Sequence, residues 1–411
     1  MLPRRCAPRD VTVQQLIHFF EFVAALGAIA GSGYYLLCLW SARSFLRANR
    51  AAAGALPLSL PGLEPQGGGF TAFAPPVSIL KPLRGADPEI YQSFRSHCLQ
   101  DYPEYELIFG VSDRDDPAVA LVERLQREFP QRGIRLLVCP QVLGSNLKVS
   151  NLVQMLSAAN YDYLIVNDSD IRVGPDYLRR VMAEFADERV GVVTCLYRGI
   201  AGATLGSRLE SIGISTDFSA GVLAARQIEG IRFALGSTLA FPRRALRAIG
   251  GFEPLVDYLA DDFEIGARVA RAGFEVRLSE VVVDHHLPDY SLRGFLQHQL
   301  RWGRSMRDSR PWGYTGVVLT FGLPWALLAL ALSRGAAWAW ALLAVAAALR
   351  LMMAVVVGRK VLQDPQVLPQ LWLLPLRDVV AMLVWMASYT GHTVAWRGDQ
   401  FILDKGKLRP A

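Results

Sequence analysis

The sequence predicts an α/β domain with a mostly parallel sheet of the nucleotide-binding kind, flanked at both ends by membrane helices. Three observations predict this fold class. Strand-like and helix-like stretches alternate after residue 76, long apolar runs lie near both termini, and an acidic turn follows one buried strand. Hydrophobic residues make up 52% of the 411 residues, a share that is high for a soluble protein.

Residues 1–50 are predicted to form an N-terminal transmembrane anchor. The apolar run from Leu16 to Trp40 is long enough to cross a bilayer. A cleaved signal peptide is the alternative, but no small-residue cleavage site follows, and Arg43, Arg47 and Arg50 are typical of a cytoplasmic flank. Residues 51–75 are rich in Ala, Pro, Leu and Gly without periodicity, which predicts a linker along the membrane surface.

Residues 76–312 are predicted to form the α/β domain. In its first half, apolar stretches of strand type are separated by stretches with helical spacing. The predicted strands are Pro76–Pro82, Tyr105–Val111, Ile134–Val138 and Tyr163–Val166, and the predicted helices are Asp87–Gln100, Ala118–Phe129 and Lys148–Ala159. The second half is less regular, with strands at Val190–Tyr197 and Val276–Val283 and helical character over Leu205–Ala225.

Residues 313–394 are predicted to form the C-terminal membrane helices. Tyr314–Ser333 and Ala336–Gly358 are each long enough to span. The third segment, Val367–Tyr389, contains two prolines and the charged pair Arg377-Asp378. Charges inside a span are costly unless paired, so a re-entrant or interfacial helix is favoured and a full span stays open. Residues 395–411 are predicted to be a basic tail.

The net charge of +6 comes from basic residues beside the apolar segments, which is typical of membrane flanks near anionic lipid. Since no basic face with a nucleic-acid-binding motif accompanies them, no nucleic-acid partner is predicted. The five cysteines include no CxxC pair, which indicates neither a zinc site nor a disulfide framework.

The acidic turn Asp168-Ser169-Asp170 follows the predicted strand at Tyr163–Val166. Two carboxylates one residue apart suit a hard divalent cation, which takes oxygen ligands and keeps other positions for water and substrate phosphates. The carboxyl edge of an open α/β sheet is also where ligands bind. The alternative is an ordinary Asp turn that caps the next helix.

Three further features share the domain with this turn. Asp113 follows the second strand, Asp261-Asp262 precede an amphipathic helix, and Arg301-Trp302 lie just before the membrane region. Each has a plainer interpretation as a turn residue, a helix N-cap pair or an interfacial anchor. Together they suit transfer from a nucleotide-linked donor, with a cation on the leaving diphosphate, a carboxylate as base and an arginine on phosphate oxygens.

His285-His286 form a separate candidate. Adjacent residues on an extended chain point to opposite faces, so at most one can face the site. His286 is the candidate for a functional role, and strand-end hydrogen bonding is the alternative.

The order Asp113, Asp168-Ser-Asp170, Asp262 and His298-Gln-Leu-Arg301-Trp302 resembles the D, DxD, D, (Q/R)xxRW pattern of inverting membrane glycosyltransferases with the GT-A fold. The chain most resembles the ceramide glucosyltransferases and their bacterial relatives, including the hopanoid-biosynthesis glycosyltransferases. Stretches such as Asn146-Leu-Lys-Val-Ser-Asn-Leu152 also carry this resemblance, which is close from about Pro76 to Trp302.

The resemblance implies a role for each matching residue. Asp262 would be the catalytic base, and Asp168 and Asp170 would hold Mg²⁺ or Mn²⁺. The UDP-sugar would be contacted by the remaining matched positions, namely Lys81, Asp113, Lys148, Asp168, Ser169, Gly236, Ser237, Asp261, His298, Arg301 and Trp302. His298 stands where processive synthases usually have Gln, which weakens a polymerase interpretation.

The implied reaction is transfer from UDP-GlcNAc or UDP-glucose to the hydroxyl of a lipid acceptor. An Arg- and Ala-rich composition is typical of a GC-rich bacterial genome and favours a hopanoid acceptor, with ceramide as the alternative. The expected location is a multi-pass protein of the bacterial inner membrane with a cytosolic catalytic domain. A non-catalytic membrane scaffold is the rival of another class, but it would be expected to have lost an acidic site.

Overall fold

The structure is a computed structural model that describes residues 8–55, 73–86, 89–396 and 399–410. Most of the predicted linker and the first two residues of the helix predicted over Asp87–Gln100 lie outside the described residues. The first five residues of that linker instead continue the N-terminal helix, which runs over Pro8–Ala55.

The α/β domain between the N-terminal and C-terminal apolar helices is built on an eight-stranded sheet. A separate three-stranded sheet follows the C-terminal helices. The strands are β1 Val77–Leu83, β2 Tyr105–Val111, β3 Gly133–Val138, β4 Tyr163–Val166, β5 Ile171–Arg172, β6 Val190–Ile200, β7 Leu239–Pro242, β8 Glu275–His286, β9 Thr393–Trp396, β10 Asp399–Asp404 and β11 Lys407–Pro410.

Short and long α-helices connect and flank these strands. They are α1 Pro8–Ala55, α2 Ile90–Cys98, α3 Ala118–Glu128, α4 Leu147–Leu156, α5 Tyr177–Ala183, α6 Leu205–Gly213, α7 Ser219–Glu229, α8 Arg243–Ala248, α9 Asp261–Arg271, α10 Leu292–Ser309, α11 Pro311–Gly316, α12 Gly322–Leu332, α13 Ala337–Ala354, α14 Val367–Gln370 and α15 Leu374–Ser388. A π-helix, Ile214–Phe218, joins α6 to α7.

The large sheet has the order β3-β2-β1-β4-β7-β6-β8-β5. The strands from β3 to β4 pair in parallel, as do β6 and β8, while β7 is antiparallel to both of its neighbours and β5 is antiparallel to β8. Strands β1 and β2 are buried on both faces, as expected for a sheet covered by helices on both sides. The predicted α/β fold class with a mostly parallel sheet in the first half is confirmed. In the second half, the strands form both parallel and antiparallel pairs.

Three helices of the described chain are long and apolar enough to span a membrane: Val13–Arg50, Ala337–Val361 and Val367–Ser388. A fourth span would be the bent pair Pro311–Thr320 and Gly322–Leu332, whose axes differ by 53°. Helix α1 packs against α12 and α13, and a Cβ on Gly31 would lie 2.2 Å from the Cα of Gly322. Helices α1, α12 and α13 therefore form a tightly packed bundle.

The bend in the first C-terminal segment differs from the prediction of a plain span over Tyr314–Ser333. Its cause is Pro324, whose ring would clash with the carbonyl group four residues earlier if the helix continued through Phe321. Phe321 accordingly leaves the helical region, with φ −80° and ψ 53°.

The third segment begins and ends against the same domain. At its start, the Gln366 side chain accepts a hydrogen bond from the backbone of Ala201 at 3.0 Å, and at its end Arg307 donates to the carbonyl groups of Ser388 and Gly391. Because the segment is also long and apolar enough to span, the choice between a full span and a re-entrant or interfacial helix stays a prediction.

The predicted basic tail is instead the three-stranded antiparallel sheet β9–β10–β11, which packs against the large domain. Leu408 donates its backbone N–H to Asp257 at 2.7 Å, and Gly406 accepts from the N–H of Leu259 at 3.1 Å. Gly406 also donates to Asp308 of α10 at 2.6 Å. One hairpin turn thus joins α10 to the loop that leads into Asp261-Asp262.

Candidate active site

The candidate site lies at the carboxyl end of β4, where Asp168-Ser169-Asp170 follow the strand. Asn167, the residue before this turn, holds it in place. Its buried side-chain amide donates to the carbonyl oxygen of Ser237 at 2.7 Å and to the hydroxyl of Tyr177 at 3.0 Å. Antiparallel pairing of β4 with β7 brings Gly236 beside the turn, and the Asp168 N–H donates to the Gly236 carbonyl at 3.3 Å.

Lys148 bridges the two acidic motifs. Its ammonium group lies 2.8 Å from Asp168 Oδ1 and 3.0 Å from Asp261 Oδ2. Burial would lower the pKa of Lys148, but Asp168, Asp261 and Asp262 outweigh it and raise the pKa above its usual range. The lysine is therefore a fixed positive charge at the centre of the site.

Lys148 is placed by the start of α4. Asn146 caps this helix by accepting from the N–H of Val149 at 3.2 Å. The same side chain donates to the carbonyl of Tyr258 at 2.7 Å, so it ties the helix to the loop before Asp261-Asp262.

Asp262 faces the Asp168 turn across Gly236. Its Oδ2 accepts from the Gly236 N–H at 2.7 Å, and its Oδ1 accepts from the Phe263 N–H at 2.8 Å. Burial and the neighbouring charge of Asp261 raise the pKa of Asp262 to about 6, although Lys148 opposes them. A carboxylate with this pKa is ionised at neutral pH and is a stronger base than an ordinary aspartate.

Asp170 points into the site from the other side of the turn. Its Oδ2 lies 3.1 Å from His285 Nε2. Burial would raise the pKa of Asp170, but the charge and hydrogen bond of His285 outweigh it and hold the pKa at about 2. The other oxygen, Oδ1, is buried without a hydrogen-bond partner.

The two carboxylates fit a divalent cation that shares its coordination with a substrate. An orphaned, ionised oxygen of Asp170 and the partly exposed carboxylate of Asp168 offer hard oxygen ligands. Among the described residues, no group of three or more His, Cys, Asp or Glu side chains forms a complete metal site. Phosphate oxygens and water would have to supply the remaining ligands.

Lys81 lies fully buried in β1 and donates to the backbone carbonyl of Asp168 at 3.1 Å. Burial lowers its pKa to about 7, against the raising influence of Asp170 and Asp168. A nearby diphosphate would favour the protonated form of this lysine.

The structure places His285, and not the predicted His286, towards the acidic turn. Strand β5 pairs with β8 so that Ile171 lies opposite His285, which directs His285 to Asp170 and His286 to the other face. The two histidines do point to opposite faces, as predicted. Which of them faces the acidic turn depends on the register in which β5 pairs with β8.

Arg301 and Trp302 lie on α10, which borders the membrane helices. A row of aromatic rings links this helix to the acidic turn: the ring of His285 lies 5.5 Å from Tyr197, Tyr197 lies 5.2 Å from Phe218, and Phe218 lies 6.1 Å from Trp302. Trp302 is therefore part of a wall between the acidic turn and α10.

His298, one turn before Trp302 on α10, is held by a carboxylate that sequence reasoning missed. Its Nδ1 lies 2.8 Å from Glu210, which is buried in α6, and its ring lies 5.0 Å from Trp302. Burial would raise the pKa of Glu210, but His298 outweighs this effect and lowers it. No motif flags Glu210 in the sequence.

The remaining predicted residues contribute in different ways. Asp113 is exposed at the end of β2 and accepts from the N–H of Asp115 within its own turn. Ser169, which lies between Asp168 and Asp170 in the sequence, is buried. Ser237 turns its hydroxyl away from the site and donates to the carbonyl of Cys195 at 2.9 Å, so only its backbone borders the acidic turn.

A mixed α/β sheet with these carboxylates at its carboxyl edge defines a GT-A transferase domain attached to a membrane. A mannosyltransferase from Pyrobaculum calidifontis, solved with GDP-Man and Mn²⁺, has the same fold with a TM-score of 0.57 and 21% identity, covering 89% of this chain and 99% of that one. The chain belongs to glycosyl transferase family 21, whose family model matches residues 23–409.

Two curated relatives share the family resemblance. Ceramide glucosyltransferase 3 of Caenorhabditis elegans is 24% identical over 346 residues, covering 81% of this chain and 73% of the relative. The ceramide glucosyltransferase of Komagataella phaffii is 37% identical over 108 residues, covering 25% of this chain and 21% of the relative.

Proposed function

We propose that this glycosyltransferase moves a sugar from UDP-GlcNAc or UDP-glucose to a lipid hydroxyl, with inversion at the anomeric carbon. The observation that carries the proposal is the cluster in which Lys148 joins Asp168 to Asp261, while Asp262, the next residue of α9, lies outside these two ion pairs and accepts backbone hydrogen bonds from Gly236 and Phe263. The acidic positions expected to be lost in a non-catalytic scaffold are all present.

In the proposed reaction, Asp262 accepts the proton of the acceptor hydroxyl while its oxygen attacks the anomeric carbon of the sugar. The bond from that carbon to the diphosphate breaks on the opposite face, and UDP leaves. Lys148 and Lys81 place positive charge where the diphosphate gains negative charge. Asp168 and Asp170 would hold Mn²⁺ or Mg²⁺, which would further stabilise the leaving diphosphate.

The acceptor is proposed to be a lipid because α10, which carries Arg301 and Trp302, packs directly against α15 at the membrane face. Composition favours a polyhydroxylated hopanoid, whereas the names of the curated relatives support ceramide. We place the catalytic domain on the cytosolic side, where nucleotide sugars are made, and favour a bacterial inner membrane.

The test is product formation by the full chain in nanodiscs with Mn²⁺. UDP-glucose and UDP-GlcNAc are each offered with ceramide and with a polyhydroxylated hopanoid, and the lipids are analysed by mass spectrometry. We expect one glycolipid product, which Asp262→Asn reduces by about 10²–10⁴-fold without loss of UDP-sugar binding.

Chelation with EDTA should remove activity, and Mn²⁺ or Mg²⁺ should restore it. Full activity in EDTA would contradict the proposed metal site. No product from any donor and lipid pair would contradict the proposed function.

A further inference from the structure

Tyr197 is an aromatic residue of β6 that has no role in the reaction proposed above. Strand β6 runs parallel to β4, because β7 lies between them and is antiparallel to both. Tyr197 is near the carboxyl end of β6, at the same edge of the sheet as Asp168 and Asp170. Its side chain is only 8% exposed. A buried tyrosine therefore lies at the edge where the candidate site is formed.

Strand β6 is also tied to the segment that holds the proposed base. Gly236 donates its N–H to Asp262 at 2.7 Å, and the hydroxyl of the next residue, Ser237, donates to the Cys195 carbonyl at 2.9 Å. Tyr197 is two residues further along β6, which corresponds to about 7 Å of extended chain. The strand thus carries Tyr197 past the backbone that fixes Asp262.

The ring of Tyr197 lies between the acidic turn and the membrane side of the site. On one side its centroid is 5.5 Å from that of His285, whose Nε2 lies 3.1 Å from Asp170. On the other side it is 5.2 Å from the ring of Phe218, which lies 6.1 Å from that of Trp302 on α10. Tyr197 therefore lies where a donor held at the acidic turn would meet an acceptor that approaches along α10.

Within the part of the chain that the structure describes, the hydroxyl of Tyr197 has no hydrogen-bond partner. Other buried tyrosines do have one. Tyr102 donates to the carbonyl of Pro75 at 2.6 Å, and Tyr105 donates to the carbonyl of Cys98 at 2.9 Å. Because a buried tyrosine hydroxyl usually finds a partner in the protein, the one at this edge points to a partner in a substrate.

Four carboxylates lie near this hydroxyl. Burial raises the pKa of Tyr197 well above its usual range, and the charges of Asp262, Glu210, Asp168 and Asp170 raise it further. The hydroxyl therefore keeps its proton at neutral pH and can donate a hydrogen bond, but it cannot act as a base. Asp262 has the largest influence of the four carboxylates, which indicates that the hydroxyl lies on the side of the proposed base.

We propose that Tyr197 binds the reacting hydroxyl of the acceptor, donating a hydrogen bond to its oxygen while this hydroxyl gives its proton to Asp262. A hydroxyl oxygen has two lone pairs, so one can accept from Tyr197 while the other attacks the anomeric carbon. Tyr197 keeps its own proton, and the bonds that form and break are those of the proposed transfer.

The acceptor is favoured over a hydroxyl of the donor sugar, because a base lies within hydrogen-bond reach of the group that it deprotonates. This inference deepens the proposed function and rests on it.

The test compares the wild type with Tyr197→Phe, which removes the hydroxyl and keeps the ring. In nanodiscs with UDP, each protein binds either the lipid that gives product or an analogue of that lipid in which hydrogen replaces the reacting hydroxyl. We expect the preference for the lipid over its analogue to be about tenfold smaller in Tyr197→Phe, because one hydrogen bond to the hydroxyl is lost. The kcat/KM for the lipid should fall at least as much, with no change in the Kd of the UDP-sugar.

Tyr163→Phe is the matched control. Tyr163 begins β4, at the amino end of the strand that precedes the acidic turn, and its ring lies 5.7 Å from Phe73 and 5.5 Å from Phe185. This variant should keep the wild-type preference and the wild-type kcat/KM. If Tyr197→Phe does not fold, Tyr197→Met allows the same comparison.

An equal preference for the lipid in the wild type and in Tyr197→Phe would overturn the inference. A variant that binds UDP normally but has lost affinity for the UDP-sugar would show that Tyr197 contacts the sugar, which would also overturn it. Absence of product in the wild type would contradict the proposed function itself. Product formation with an unaffected Tyr197→Phe would contradict only the role of Tyr197.

Discussion

At the scale of single residues, the pKa of Asp262 is set by its burial, by the charge of Asp261 and by the opposing charge of Lys148. The charge of Asp261 helps to raise its pKa to about 6, so the base is lost as the pH falls through that value. We expect kcat/KM to fall about tenfold per pH unit below pH 6 and to level off above it. Asp261→Asn should move this limb to lower pH, and an unmoved limb would contradict the assignment.

Gly236 allows the two carboxylates to face each other. A Cβ at this position would lie 2.7 Å from Asp168 Oδ2 and 3.3 Å from Asp262 Oδ2, so an added methyl group must displace one of them. We expect Gly236→Ala to reduce transfer about a hundredfold, because small misplacements at a reacting centre cost this much. Gly316→Ala, where an added Cβ meets nothing within 4 Å, is the control. Equal activity of both variants would contradict the argument.

Asp168 and Asp170 could be selected by their position after a strand, and Asp262 by its position before a helix, whereas Lys148 was selected through the family resemblance. Their roles stay predictions. The sequence analysis favoured His286 over His285, which was wrong, because the choice depends on how β5 pairs with β8. It also missed Glu210, which comes beside His298 only when α6 packs on α10. Contacts of this kind join residues that are far apart in the sequence, so no local sequence pattern predicts them.

At the scale of elements, the sheet β9–β10–β11 is expected to hold the loop that precedes α9 and thereby to position Asp262. Leu408 is buried with Val394 and Leu403, and Leu259 of the loop packs against this cluster. We expect Leu408→Ala to lower kcat roughly tenfold through misplacement of the base, with little change in the donor KM. Kinetics with hydrogen exchange of the loop would measure both effects.

Arg409→Ala is the matched control for Leu408→Ala. Arg409 is 66% exposed, and its ion pair with Asp404 lies at the surface, where such a pair contributes little to stability. If Leu408→Ala exposed the loop to exchange but kept full kcat, the positioning role would be excluded.

Most elements of the first half could be predicted from hydrophobic pattern, and the limits of β2 coincide with the predicted Tyr105–Val111. The small sheet could not, because its strands are short, and a basic composition gave no alternation to recognise. The bend at Phe321 could have been expected from Pro324, because a proline ring inside a helix clashes with the carbonyl group of the residue four positions earlier.

At the scale of the whole molecule, a buried ion pair joins α13 of the membrane bundle to α15. Arg350 of α13 binds Asp378 of α15 through two contacts of 2.8 Å, and Arg350 is 2% exposed. We expect Arg350→Met to destabilise the protein by about 3–5 kcal/mol, because Asp378 is left buried without a partner.

Arg350→Met combined with Asp378→Leu should regain most of this loss, since neither charge is then buried. The unfolding midpoint in detergent would compare the two variants. A double variant as unstable as the single one would show that packing, and not the unpaired charge, determines the effect.

The position of the small sheet in the chain also sets the order in which the protein becomes active. Residues 393–410 are synthesised after α1, α12, α13 and α15, yet they bind the loop that leads into Asp261-Asp262 at the start of α9. The ribosome therefore delivers the apolar helices to the bilayer before the base can be locked in place. The contacts of Gly406 and Leu408 with this loop therefore form only after all four helices have been synthesised.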